Sequence, residues 1–234
     1  MRKQKSGVLG VLGMIASVIS LSAHAGMGME EFNQLTLAEK QMVEDGGQVA
    51  HFGNEKPWPF VVIFQKINST PEEAAAVFSD YANHVNFIPN MIKSAPTPVS
   101  KTVSNVYYQA KLPFLPAWVG GVESYLVRDE VMAYDDFQSF QVSWSLIPGH
   151  GETVKSSEGR ARFESMGNAT LLVYNSAIVP NRFGVDVGFV VEGAKDTMRK
   201  GVEAIVRRVE TLKAENNPLL KTEIENLRKS FSFE

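Results

Sequence analysis

Residues 67–95 read INSTPEEAAAVFSDYANHVNFIPNMIKSA, and the first third of the stretch spells out a helix start. Thr70 stands at the N-cap, where its hydroxyl can take an orphan amide. Pro71 fills the first helical position, where no amide is needed, and Glu72 and Glu73 face the positive end of the helix dipole. The helix that follows, EEAAAVFSDYA, is amphipathic through Ala74, Val77, Phe78 and Tyr81, and its alanines let it lie close against a sheet. Near Asn83 the pattern stops. Asn83-His84-Val85-Asn86-Phe87-Ile88-Pro89 is too rich in Asn and Pro for a core helix, yet Phe87, Ile88, Met91 and Ile92 are apolar. Two readings stay open: plain packing, or the rim of an apolar cavity.

Upstream, FVVIFQKI (Phe60–Ile67) has the β-branched and aromatic density of a largely buried strand. Before it, Thr36-Leu37-Ala38-Glu39 is a capping box that opens a short helix, Gly46-Gly47 closes that helix, and Gln48–Phe52 reads as a first strand. Downstream, from Val99 to Val179, the period becomes two. Strands are expected at Ser104–Leu112, Val122–Met132, Ser139–Ile147, Lys155–Glu164 and Ala169–Val179, with turns at Asp135-Asp136, Pro148-Gly149-His150-Gly151 and Gly167-Asn168. Phe140, Val142, Trp144 and Leu146 alternate with Gln141, Ser143 and Ser145, so the sheet has one dry and one wet face. In Leu171-Leu172-Val173-Tyr174 both faces are apolar, and parity alone does not assign them. A long helix follows, roughly Phe189 to Ala214, with Ala194, Met198, Gly201, Ile205, Val209 and Leu212 on one side; after Pro218, Leu219–Lys229 is a second amphipathic helix. The order is strand, helix, five or six antiparallel strands and a long C-terminal helix: an α+β chain whose twisted sheet needs that helix as a cover.

The first 25 residues read as a secretory signal. Arg2, Lys3 and Lys5 precede an apolar run from Gly7 to Leu21, which ends in Ser22-Ala23-His24-Ala25. The run is shorter than the roughly 20 apolar residues of a membrane span. No Cys follows it, which argues against lipid anchoring. Cleavage after Ala25 shifts the net charge from −3 to about −6, so the expected periplasmic or secreted chain has no broad attraction for nucleic acid. With no cysteines, disulfides and thiolate chemistry are excluded, and stability rests on the core.

From Trp58 to Ala214 the order of elements, together with residues 67–95, resembles the START-like superfamily that includes polyketide cyclases and coenzyme Q-binding proteins (the SRPBCC or helix-grip fold). The likeness is carried by the strand, the Ser69-Thr70-Pro71-Glu72-Glu73 helix start, and Asp80-Tyr81 followed by an aromatic residue and Pro89 before a short second helix. Leu35–Val49 resembles an N-terminal extension of exported bacterial members. The resemblance implies a curved antiparallel sheet wrapped around the long C-terminal helix, with Phe87, Ile88, Met91 and Ile92 at the mouth of a cavity between them. The chain then divides into a signal (1–25), an extension (26–57), a START-like domain (58–214) and a C-terminal amphipathic helix (215–234). The superfamily spans lipid carriers, ligand receptors and cyclases, so fold does not decide function here.

Within that frame the expected ligand-lining residues are Phe87, Ile88, Met91, Tyr108, Trp118, Phe140, Val142, Trp144, Met198 and Ile205, with Tyr108, Asn175 or Arg182 as polar anchors. Ala194 and Gly201 either leave room for a ligand or allow close packing of helix on sheet. Lys111–Val119, interrupted by Pro113 and Pro116, reads as a loop carrying Phe114, Leu115 and Trp118, fit to touch a membrane or close the cavity. Metal and catalytic signatures are missing. His51, His84 and His150 lack ligand spacing and read as surface or turn residues, and no G-x-S-x-G or phosphate-binding glycine loop occurs. Asp135-Asp136 reads as a turn, and Arg199-Lys200 and Arg207-Arg208 as a solvated helix face. No cofactor is implied. The leading expectation is an exported, monomeric carrier for a hydrophobic small molecule or lipid. A cyclase- or aromatase-like enzyme using the same pocket, with His150 or Arg182 engaged, is second. A filled-core interaction module docking through the Phe114–Trp118 loop or the last helix is third.

Overall fold

The computed structural model describes residues 26–53, 60–112, 121–151, 154–180 and 187–232. Two helices, α1 (Met27–Asn33) and α2 (Leu37–Glu44), precede β1 (Gln48–Phe52) and β2 (Val61–Ile67). Next come α3 (Pro71–Ser79), a 3-10 helix (Tyr81–Asn86) and the meander β3 (Met91–Pro98), β4 (Val103–Lys111), β5 (Val122–Tyr134), β6 (Ser139–Gly151), β7 (Val154–Met166) and β8 (Ala169–Pro180). Helices α4 (Val187–Ala214) and α5 (Pro218–Phe231) close the chain. The strands form one antiparallel sheet in the order β1-β2-β8-β7-β6-β5-β4-β3. This is the expected helix-grip architecture: two strands precede α3 and six follow it, in line with the five or six expected there.

Both expected helix starts are made. The Thr36 and Thr70 side chains accept from the amides of Glu39 and Glu73, whose carboxylates reach back to the capping residues. Glu73 also pairs with Lys213 at 2.8 Å, and Glu72 takes both arms of the Arg228 fork, so the start of α3 is tied to the ends of α4 and α5. Ala74, Ala75, Ala76, Val77 and Phe78 are all buried, because the sheet covers one side of α3 and α5 the other. The terminal helix therefore spends its apolar face, Leu220 and Leu227, on its own domain, and a docking role through that face is set aside.

Register divides the sheet residues between two cores. Phe140 faces Phe163, Val142 faces Ala161 and Trp144 faces Gly159 across β6 and β7. These residues join Ile63, Leu172, Tyr174 and the α4 residues Val202, Ile205, Val209 and Leu212 in the inner core. The opposite parity, Leu171, Val173, Phe64 and Val49, packs with Phe32, Leu35 and Val43 beneath α1 and α2. Both apolar faces of Leu171–Tyr174 are thus used: the N-terminal extension covers the outer one.

Met91 and Ile92 correct the reading taken from the resemblance. They open edge strand β3 where a short second helix is expected, and Ile92 is exposed. Pro96 and Pro98 hide the strand from a pattern search, yet an edge tolerates them because it does not require every amide in a ladder.

Candidate ligand-binding site

The segment after α3 builds one wall of the site. Asp80 ends the helix and accepts from Asn83 Nδ2 at 2.6 Å, turning the chain so that His84 points inward. His84 is 3% exposed, which corrects its reading as a surface residue. Its Nε2–H donates to the Phe78 carbonyl at 2.9 Å, leaving Nδ1 to accept from the Tyr108 hydroxyl at 3.4 Å. Burial lowers its pKa to about 4, so the ring is neutral at pH 7. It stacks on Tyr108 at 6.1 Å and meets the edges of Phe78, Tyr81 and Phe87 at 6.2, 5.6 and 5.6 Å.

The sheet supplies the floor. Tyr108 of β4 lies opposite Tyr125 of β5, ring centres 5.8 Å apart. Four residues along β5, in phase with Val127 and Val131, stands Asp129, paired in register with Ser104 on one side and Trp144 on the other. Trp144 packs on Tyr174 at 5.3 Å and on Phe78 at 6.2 Å. Its indole lies over Gly159, where a Cβ would sit 2.3 Å from Trp144 Cζ2 and 2.4 Å from the Asn175 carbonyl.

Asp129 is 3% exposed, its Oδ2 has no hydrogen-bond partner, and among the described residues no basic group pairs with it. Burial raises its pKa to about 8, so the acid is mostly protonated at neutral pH. Tyr81, Tyr108, Tyr125 and Tyr174 are close enough to feel its charge: burial raises the pKa of all four, Asp129 comes next at Tyr81 and Tyr108, Glu123 and Tyr174 come before it at Tyr125, and at Tyr174 a hydrogen bond with Ser176 opposes the rise. The Tyr81 hydroxyl also lacks a partner.

Tyr108, Tyr125 and Tyr174 are half-buried and pack against the inner core. Phe140, Val142 and Ile205, at 1%, 0% and 4% exposure, are filled core. On α4, a Cβ added at Gly201 would meet nothing within 4 Å, which excludes close packing of helix on sheet as the reason for that glycine. One turn and two turns on, Ile205 and Arg208 share its side, and the Arg208 guanidinium lies over the Phe87 ring at 5.8 Å. Arg208 is half-buried, which corrects its assignment to a fully solvated face. It neighbours Glu223, whose pKa is raised to about 8 by burial and by the adjoining Asp80 carboxyl.

Of the expected site residues, Phe87, Ile88, Tyr108, Trp144 and Met198 are half-buried and pack against the inner core. Met91 is half-buried at the start of β3. Asn175 is not among them. It has the parity of Leu171 and Val173 and lies opposite Arg160 on the outer face. Trp118 and Arg182, with the Phe114–Trp118 loop, lie outside the described residues. Among the described histidines, His51 is exposed and pairs with Glu39, and His150 is exposed at the end of β6. Tyr81, His84, Tyr125, Asp129 and Tyr174 were missed by pattern. Parity could have found Asp129, which keeps the phase of Val127 and Val131 inside the polar run Arg128-Asp129-Glu130.

A separate open cleft of about 760 Å³ lies at the far end of the sheet, between the start of α3, the β5–β6 and β7–β8 turns and the end of α5. Its one cation, Arg228, is already engaged by Glu72.

No family model and no curated protein matches the chain. Solved structures do. A fragment of a STAR-related lipid transfer protein from Xanthomonas axonopodis superposes with a TM-score of 0.60 at 11% identity, over 70% of this chain and 93% of that one. Human StAR-related lipid transfer protein 5 gives 0.60 at 11% identity over 80% and 99%. The Zhui aromatase/cyclase of a Streptomyces species gives 0.51 at 12% identity over 70% and 94%. At these identities the likeness is one of fold: the chain has the START-like helix-grip fold.

Proposed function

We propose that this protein is an exported carrier that holds a hydrophobic small molecule or lipid between the curved sheet and α4. The observation that carries the reading is the row of half-buried aromatic residues, Tyr108, Tyr125, Trp144 and Tyr174, packed on the inner core that α4 also joins. Apolar ligand surface moved there from water contributes about 25 cal/mol per Å². Named lipid transfer proteins among the structural neighbours support the ligand class. Export fits the start of the fold. Glu164 holds the amides of Gly28 and Met29 at the beginning of α1, so cleavage after Ala25 leaves this docking whole. The Phe114–Trp118 loop is the proposed point of transient membrane contact, and the protein is taken to work as a monomer.

The test is native mass spectrometry of the protein purified from the periplasm of an expressing bacterium, with organic extraction of what it carries. A stoichiometric apolar ligand is expected. A clean apo mass with no uptake from a lipid extract would sink the reading in favour of a filled-core module. A cyclase- or aromatase-like role is the second reading, favoured by one observation: a buried, protonated Asp129 near four phenols, one of which (Tyr108) meets neutral His84, offers acid–base groups on the inner face of the sheet. Turnover of an added polyketone substrate that disappears in Asp129→Asn would promote it.

A further inference from the structure

We propose that Asp129 anchors a cationic nitrogen carried by the apolar ligand, held between its carboxylate and the surrounding aromatic rings. The inference rests on the carrier reading and names its ligand class. A buried acid is ordinarily matched by a basic side chain or by several amide donors. This chain makes such matches elsewhere: on the outer face Glu31 takes Arg160 and Arg162, each at 3.0 Å, and Glu164 takes two backbone amides. Asp129 stands apart, with a partnerless oxygen and no ion pair among the described residues. What surrounds it is aromatic: Tyr81, Tyr108, Tyr125 and Tyr174 within reach of its charge, and Trp144 as its neighbour on β6. Aromatic rings attract cations most strongly where water is excluded, and a carboxylate beside them supplies the counter-charge. A neutral hydroxyl would satisfy one hydrogen bond and leave the rings' field unused. The negative charge of the whole chain favours the same sign of ligand.

The test titrates the mature protein with decyltrimethylammonium, 1-decanol and decanoate, three probes with one tail and different heads, by calorimetry at pH 6.5 and 8.5. The ammonium probe is expected to bind at least about tenfold more tightly than decanol, and decanoate most weakly. Binding a fixed cation requires Asp129 to ionise, so the ammonium affinity should rise roughly 25-fold between the two pH values while decanol stays flat. Other groups face the site: Tyr81 and His84 from the 3-10 helix, Tyr108 from β4, Tyr174 from β8, and Glu123 and Tyr125 on the same strand. The tyrosines stay protonated and His84 neutral across this range. Asp129→Asn separates Asp129 from Glu123 and from the more distant Glu223. That variant should lose the ammonium preference and its pH dependence, while a cooperative urea transition shows that it is folded. Equal binding of ammonium and decanol in the unaltered protein, or an intact preference in Asp129→Asn, overturns the cation anchor and leaves the carrier reading standing. If none of the three probes binds, both fall.

Discussion

At the scale of the residue, two side chains carry more consequence than their surroundings suggest. Gly159 is fixed by the Trp144 indole lying across it, so Gly159→Ala must push the ring aside. A loss of about 1–3 kcal/mol is expected in urea unfolding, with a shifted tryptophan emission; an unaltered emission would show that the indole does not rest there. Asp129 leaves a mark on pH dependence. In the fold it holds its proton up to about pH 8, and in the unfolded chain it releases it near 3.8, so unfolding between those values sheds a proton and stability falls as pH rises. Glu223 has the same sign, with its proton held to about 8. His84 has the opposite one: its folded value of about 4 lies below the ordinary 6.5, so unfolding takes up a proton and stability rises over that interval. His84 offsets one of the acids below pH 6.5; above it only the falling terms remain. Asp129→Asn should therefore reduce the downward slope between pH 6.5 and 8 by up to about 1.4 kcal/mol per unit, read from urea midpoints at three pH values. An unchanged slope would mean that water already reaches the acid. Neither residue announces itself in the sequence, since Asp129 sits between Arg128 and Glu130 and looks like one more charge on a wet face. Side-chain direction, which for a single strand is only parity, separates it from its neighbours.

At the scale of the element, the strands with one wet face were legible because burial and alternation are the same fact in an antiparallel sheet. The two helix starts were legible because their chemistry is local: the Thr36–Glu39 box and the Thr70 cap satisfy their own backbone whatever the rest of the fold does, and Glu73 turns the second cap into a box as well. Elements stabilised from afar were hidden. Strand β3, with Lys93, Ser94 and two prolines, owes its form to its partner β4, and α1 owes its place to Glu164 of β7, 135 positions beyond Met29. Helix α5 was seen, but its apolar face was open to assignment until α3 appeared beneath it. Leu227 is 5% exposed in that contact. Leu227→Ala is expected to destabilise by about 2–4 kcal/mol, measured as a fall in the thermal midpoint, because the Leu would leave a cavity among α3 side chains. A change below about 0.5 kcal/mol would place α5 off α3 in solution and return its apolar face to the market for partners.

At the scale of the whole molecule, the carrier reading puts the ligand between the sheet, α4 and the segment carrying Phe87, and the open side of α4 decides what fits there. Gly201 precedes Ile205 and Arg208 at helical spacing, and Arg208 turns toward Phe87, so Gly201 belongs to the flank of α4 that faces the 3-10 segment. Small and large substitutions at this position separate helix stability from ligand capacity. Gly201→Ala puts a methyl into open space and removes the conformational freedom of a mid-helix glycine, so it should stabilise the fold by about 0.5–1 kcal/mol and leave decanol uptake unchanged. Gly201→Phe places a ring where the carrier reading puts the ligand. Its helix should remain formed, since no neighbour stands within 4 Å of the first added atom, while decanol affinity drops about tenfold or more. The two variants are to be compared by thermal melting and by calorimetric titration on the same preparations. If Gly201→Phe melts like the unaltered protein and binds decanol equally well, the open side of Gly201 faces bulk water and the ligand must lie deeper, between Tyr108, Tyr125 and Tyr174. If it melts normally and binds poorly, the ligand occupies the flank between α4 and Phe87, and the apolar run that interrupts the helix after Asn83 is the rim of that space.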